Sequence, residues 1–223
     1  MTDICIIPAR GGSQRIPRKN KKLFCGRPIV KRAIILAQDL FTEIAVSTDD
    51  PDIREIAEDM EASYVPRSEY AATDEAELED VVLEVLDYYN LDYGTCCMLL
   101  PTGVFSAVED IDRACVMLSK GDADLVYTIT EYDHPVQRAL SIDIHGKIRA
   151  DFSMANTQDF TRYYHDAGQF YVFDISAFRE SWSRGVRLLQ MEAVPIILPR
   201  DRCHDIDTPE DWAIAEMKWE AMQ

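Results

Sequence analysis

Apolar residues in this chain fall into short branched runs that alternate with helical repeats. Ile4-Cys5-Ile6-Ile7 is a continuous run of the length and branching of a buried strand. A polar loop follows. From Pro28 to about Leu40, Val30, Ala33, Ile34 and Ala37 then recur on one face and predict a helix. Residues 43–49 predict a second strand ending in Ser47-Thr48-Asp49, residues 52–60 a helix, and residues 62–65 a short strand. Pro66-Arg67-Ser68 opens a loop, and a strongly patterned helix is expected to start at Thr73. Its inner face would carry Leu78, Val81, Val82, Val85, Leu86 and Tyr89. Asp74, Glu75 and Glu77 would occupy its first turn, where carboxylates suit the positive end of the helix dipole and need no catalytic role. A strand at 95–100 stops at Pro101-Thr102-Gly103; Val108, Ile111, Cys115 and Leu118 mark another helix, and 125–130 another strand. This rhythm predicts an α/β fold with a doubly wound, mostly parallel, Rossmann-like sheet. Ligands of such sheets lie beyond the carboxyl ends of the strands. The loop after the first strand, Ser47-Thr48-Asp49 and Pro101-Thr102 should therefore meet at one crevice.

From Glu131 to about Asp166 the rhythm breaks into a polar segment, read as a cover over the site or an arm for subunit pairing. Residues 168–173 resume as a strand, and 194–198, bounded by Pro195 and Pro199, form one near an edge. Thr208 is placed to cap a last helix, with Pro209 at its first position and Asp211 completing a capping box. The expectation is a single domain over 1–223 with an insertion at about 131–166.

Composition narrows the chemistry. No apolar run approaches the roughly 18 residues of a membrane span, and no signal peptide is expected. Six cysteines without a C-x-x-C pair suggest reduced thiols and a cytoplasmic setting. A net charge of −17 argues against non-specific nucleic-acid binding. Its distribution says more: no acid occurs from Ile4 to Gln38, where nine of the 23 Lys and Arg lie. The loop Pro8-Ala9-Arg10-Gly11-Gly12-Ser13-Gln14-Arg15-Ile16-Pro17-Arg18-Lys19-Asn20 joins cations to adjacent glycines that let backbone approach an anion. It matches neither G-x-x-x-x-G-K-[ST] nor G-x-G-x-x-G, so a phosphate site and a solvated charged loop both remain open. Near the C-terminus, Asp205 and Asp207 project to one side of an extended segment and offer oxygen ligands suited to Mg²⁺. Asp207 serving only to begin the helix is the alternative. The histidines form no zinc set, and no G-x-S-x-G elbow is present.

The loop at 7–20 and the ending Asp205-Ile206-Asp207-Thr208-Pro209-Glu210-Asp211 together closely resemble the acylneuraminate cytidylyltransferases, which join CTP to a nine-carbon keto-sugar acid and release pyrophosphate. Residues 47–49, Arg67 and 100–102 fall in the family's order, so the resemblance spans nearly the whole chain. Residues 131–138 and 164–171 look most like the pseudaminic acid branch. The resemblance implies Mg²⁺, a homodimer, and substrates that are CTP and an acidic sugar. It matches Arg10 to the triphosphate-binding arginine, Lys19 to the loop lysine, and Asp205 and Asp207 to the metal carboxylates; Arg10, Lys19 and Asp207 would carry catalysis. Ala9, Gly11, Gly12, Ser13, Asn20 and Arg67 would complete the nucleotide site. His134, Gln137, Arg162, His165 and Gln169 are the candidates for the sugar. Two positions depart from many sialic acid enzymes: Gln14 stands in place of Lys, and Leu100 in place of a sugar-binding Gln. The second points away from N-acetylneuraminate. Sister enzymes for N-acetylneuraminate, legionaminate or Kdo are the alternatives, although the Kdo pattern usually has Pro at the position of Asn20. A non-catalytic CTP-binding protein is the alternative of another class.

Overall fold

The computed structural model describes residues 3–121, 123–150 and 160–222. In chain order its elements are β1 (Asp3–Pro8), β2 (Leu23–Phe24), β3 (Arg27–Pro28), α1 (Ile29–Gln38), β4 (Glu43–Thr48), α2 (Pro51–Asp59), β5 (Ser63–Pro66) and α3 (Leu78–Tyr88). There follow β6 (Thr95–Leu99), α4 (Val108–Ser119), β7 (Leu125–Glu131), β8 (Leu140–Ile142), β9 (Ile148–Ala150), β10 (Tyr164–Asp174), α5 (Ile175–Ser183), β11 (Ala193–Ile197) and α6 (Pro209–Ala221). Seven strands form the main sheet in the order β11-β7-β10-β6-β1-β4-β5. β1 is parallel to both β4 and β6, and β5 to β4. β10 runs antiparallel to both its neighbours.

Alternation along the central strands sorts side chains to two faces. Cys5, Ile7, Val46, Cys97 and Leu99 pack with residues of α1, α2 and α4. Ile4, Ile6, Ala45, Cys96 and Met98 pack with residues of α3 and α5. Helices therefore cover both faces, which is the doubly wound arrangement the pattern predicts. The apolar face expected of α1 is buried at Val30, Ala33, Ile34 and Ala37.

A third, smaller core bears directly on the site. Ile16 from the basic loop, Phe24, Ile29, Phe105, Ile206, Trp212 and Ala215 pack together. It ties the N-terminal loop to the segment before α6, so elements almost 200 residues apart are held as one unit.

Three local expectations are corrected. The helix expected from Thr73 begins at Leu78, and residues 67–77 lie outside helix and strand. Glu77 caps α3, its N–H donating to Asp80 Oδ2 at 2.9 Å; Asp74 and Glu75 are therefore not first-turn residues. β10 begins at Tyr164, inside the expected excursion, because Tyr164 pairs with Glu131 and the ladder zips the two ends of that segment together. Between those ends β8 and β9 form a separate two-stranded ribbon; residues 151–159 of the excursion lie outside the described residues. Helix α5 has no counterpart in the sequence reading.

Candidate active site

The carboxyl ends of β1, β5 and β6 open on one cavity of about 520 Å³, also lined by α3 and by Asp205 and Asp207. Arg10, Ser13, Gln14, Arg15, Lys19, Asn20, Arg67, Leu100, Pro101 and Thr102 lie on its wall. The basic loop and Pro101-Thr102 thus meet at one crevice as expected, whereas Ser47, Thr48 and Asp49 do not line it. Asp49, from the end of β4, meets the loop by accepting a bond from the Gly11 N–H at 2.8 Å.

The loop is held from behind by acids. Asp50 Oδ2 lies 2.6 Å from Lys21 Nζ. A Cβ at Gly11 would fall 2.8 Å from both Cβ and Oδ2 of Asp50, so only glycine permits this approach. The Ala9 N–H donates to Ser47 O at 2.9 Å, and Ala9 is fully buried. The amides of Ala9 and Gly11 are thus engaged inside the protein. Gly12, by contrast, has open space around it and lines a shallow depression with Arg10, Ser13 and Gln14. Asn20 is buried and braces the loop, its Nδ2 donating to Arg10 O at 2.9 Å.

Arg18 adopts a left-handed conformation (φ 57°), and a single 3₁₀ turn at Lys19–Lys21 follows. This turn carries Lys19 to the other side of the site. Its Nζ donates to Ile206 O at 2.9 Å and lies 3.6 Å from Asp207 Oδ1. Burial lowers the Lys19 pKa, against the pull of Asp207. Arg15 Nη1 donates to Asp207 Oδ2 at 2.5 Å. Ile206 points into the third core with no exposed surface, which leaves the flanking aspartates facing the cavity. Burial, and next the charge of Asp207, raise the Asp205 pKa. Two carboxylates that share a part-buried site in this way suit a hard cation. Among the described residues no group of three or more His, Cys, Asp or Glu could hold a metal. The pair Asp205 and Asp207 fits Mg²⁺, which typically takes one or two protein carboxylates and completes its shell with phosphate oxygens and water.

Arg67 lies on the wall, but its guanidinium donates to Ser47 O and Oγ and to Ala71 O. Burial brings its pKa down to about 10. Its evident work is to fix the chain leaving β5.

The five sugar candidates do not line this cavity. His134 and Arg162 line a separate one of about 330 Å³ on the excursion. Gln137 is turned to Thr161 O at 2.7 Å, and the exposed His165 packs against Tyr132. Gln169 is buried at 1% exposure, accepting from Ser106 Oγ at 2.9 Å and donating to Arg202 O at 2.6 Å. Both ends of its amide are engaged, and a Cβ at Gly103 would meet Gln169 O at 2.8 Å, so this residue cements the floor beneath Pro101-Thr102. Sequence reasoning passed over Asp74 as a site residue. It lies on the cavity wall, where Arg10 and Gln14 both bond to it.

A family model described as cytidylyltransferase matches residues 4–181. A pseudaminic acid cytidylyltransferase of Campylobacter jejuni is 32% identical, the match covering 97% of this chain and 96% of the relative. A CMP-N,N'-diacetyllegionaminic acid synthase of Legionella pneumophila is 29% identical over 100% of this chain and 98% of its own. The solved structure of a CMP:2-keto-3-deoxy-manno-octonic acid synthetase complexed with CTP superimposes with a TM-score of 0.73 over 100% of both chains, at 14% identity. That likeness shows the shared fold.

Proposed function

Because this chain belongs to the cytidylyltransferase family, we propose that it joins CTP to a nonulosonic acid, with pseudaminic acid as the sugar, and releases pyrophosphate. It is a nucleotidyltransferase. The observation that carries the reading is one cavity whose walls hold the cations Arg10 and Lys19 together with the carboxylates Asp205 and Asp207.

In this reading the anomeric hydroxyl attacks the α-phosphorus of CTP, its oxygen forms the new bond to phosphorus, and pyrophosphate departs. Arg10 binds phosphate oxygens in the forked geometry a guanidinium offers. Lys19 adds a point charge between the phosphates and Asp207. Together they offset the negative charge that would repel the sugar carboxylate. The Gly12 turn leaves room for phosphate beside Ser13. Asp205 and Asp207 would hold Mg²⁺, which when bound would supply charge neutralisation and lower the pKa of a hydroxyl directed at it. Arg15, 65% exposed beside Asp207, would offset the charge missing at Gln14. Leu100 on the cavity wall supports a sugar other than N-acetylneuraminate, since its side chain has no hydrogen-bonding atom to offer.

We place the protein in the cytoplasm as a homodimer, one nucleotidyltransferase domain with a substrate and dimerisation insertion at about 131–166. The described cysteines are free thiols. No described helix is long and apolar enough to cross a membrane. On the β8–β9 ribbon, Leu140, Ile142 and Ile148 share one face by register and stay exposed, which supports contact with a second copy. His134, Gln137, Arg162 and His165 lie on this insertion and not on the cavity wall, so they would read the sugar by reaching a partner's site across that contact.

The test is a panel of nonulosonic acids incubated with CTP and Mg²⁺ and analysed by mass spectrometry. CMP-pseudaminate as the main product is expected. A preference for another acid would replace the sugar assignment, and no pyrophosphate with any acid would remove the reading. Asp207→Ala should nearly abolish product while the protein stays folded.

A further inference from the structure

Arg10 and Gln14 together hold a carboxylate of the protein itself. Asp74 Oδ1 accepts from Arg10 Nη2 at 2.5 Å and Oδ2 accepts from Gln14 Nε2 at 2.9 Å, while Arg10 Nη1 donates to Thr73 O at 2.7 Å. Arg10 and Gln14 both face the cavity from the basic loop, beside Ser13, Arg15 and Lys19, and Asp74 shares the cavity wall with them. We propose that Asp74 is a built-in occupant of the anion site, a carboxylate that a bound polyphosphate must displace, so that it sets the site's affinity and selectivity for phosphate. The proposal rests on the nucleotide reading only for the identity of the anion.

Three features separate Asp74 from a structural acid. Its side chain keeps 52% of its surface exposed, whereas Asp50, which packs behind the loop against Lys21, keeps 12%. Its carboxylate has no hydrogen-bond partner among the described residues other than Arg10 and Gln14. It also belongs to the stretch without regular structure, anchored on one side where Arg67 holds Ala71 O and on the other where Glu77 meets Arg187 at 2.6 Å. Asp74 therefore projects from a tethered loop whose ends need not move when the contact breaks. A half-exposed pair of this kind adds little to folding. A phosphate carries more charge than a carboxylate and takes the same fork of an arginine. The occupied state lowers apparent ligand affinity by the fraction of molecules in which the site is open.

The test measures binding of inorganic tripolyphosphate and of CTP by calorimetry to the whole protein, its Asp74→Asn and Asp74→Ala variants, and Glu75→Gln. Glu75 is the adjacent exposed acid, and its substitution removes the same charge without touching Arg10. The Asp74 variants should bind tripolyphosphate roughly three- to ten-fold more tightly than the unaltered protein, Glu75→Gln distinctly less so. Their thermal melts should be unaltered. In an Arg10→Gln background most of the Asp74→Asn gain should vanish. Unchanged or weaker binding by the Asp74 variants, an equal gain from Glu75→Gln, or a full gain without Arg10 would each overturn the proposal. Should Asp74→Ala fail to fold, the near-isosteric Asp74→Asn decides. A protein that binds tripolyphosphate but not CTP would refute the cytidine reading alone, and the Asp74 comparison would still stand. If no variant binds tripolyphosphate, both fall.

Discussion

Replacing Ile206 with alanine tests whether the third core positions the chemistry. Ile206 is fully buried between the two aspartates, and its carbonyl receives Lys19. The substitution removes three carbons, worth about 2.4 kcal/mol at roughly 0.8 kcal/mol each. A cavity term brings the cost to about 3 kcal/mol. Proteins of this size lose about 2–4 °C in melting temperature per kcal/mol, so a drop of about 6–12 °C is expected. Since domains are stable by about 5–15 kcal/mol, the variant should remain folded at 25 °C. The larger effect should be on turnover. A shift of Asp205, Asp207 and Lys19 by about 1 Å should lower the rate of CMP-sugar formation on the order of 100-fold at saturating CTP and Mg²⁺. Ile206→Val, which loses one carbon, should cost about 1 kcal/mol and only a few-fold in rate. Melting is followed by calorimetry and turnover by pyrophosphate release. A normal melt would refute the packing argument. A lowered melt with unaltered turnover would refute the claim that this side chain aims the carboxylates.

Arg10→Ala should raise the KM for CTP about 10-fold or more and the sugar KM much less, as loss of a charged hydrogen-bond donor implies; equal changes would contradict the phosphate assignment. Gly11→Ala drives a methyl into Asp50 and should cost about 1–3 kcal/mol, seen as a lowered melting temperature. For Asp50, burial pushes the carboxyl up, but Lys21 and the N–H groups of Ile53 and Asp52 outweigh it and hold its pKa below the usual value. A depressed folded value gives stabilisation that is complete above the unfolded pKa of about 3.9 and lost as pH falls through the folded one. Lys21→Met should therefore move acid unfolding to higher pH, and an unmoved acid midpoint would refute the linkage. Gln169→Leu leaves Ser106 and the Arg202 carbonyl without partners and should cost about 1–3 kcal/mol with the sugar KM near normal. A raised sugar KM at normal melting temperature would return Gln169 to the sugar site.

Much of the fold is legible because its strands and helices obey simple periods. The apolar face of α1, the short strands and the capping box at Thr208 all rest on local signals, and Thr208 Oγ1 indeed accepts from the Asp211 N–H at 3.2 Å. The antiparallel sense of β10 leaves no trace in a run such as Gln169-Phe170-Tyr171-Val172-Phe173, because a strand buried on both faces reads alike in either direction. Helix α5 is short and has only Ile175 and Phe178 fully inside, too few to show a period. Acids before an apolar repeat usually belong to a first helical turn, which is why the pattern places Asp74 there; the helix instead starts at Leu78 with Glu77 and Asp80 forming the capping box, and Asp74 is left outside it beside Arg10. Ile16 was the available clue to the third core: a lone isoleucine among cations, which hydration alone would not keep 2% exposed. Gln169 has the chemistry of a polar contact for sugar, yet its buried amide bridges Ser106 Oγ and the Arg202 carbonyl, a long-range pairing that no local pattern shows.

The ladder between Glu131 and Tyr164, extended by the Tyr132 N–H donating to Tyr163 O at 3.2 Å, has a consequence for how such proteins diversify. A segment that leaves and re-enters a sheet at adjacent positions behaves as a cassette. Its length changes the chain entropy of the fold only slowly, and its sequence can drift without altering the strands that anchor it. Residues 133–162 can thus change in length or sequence as one piece while the strands that carry the cavity keep their places.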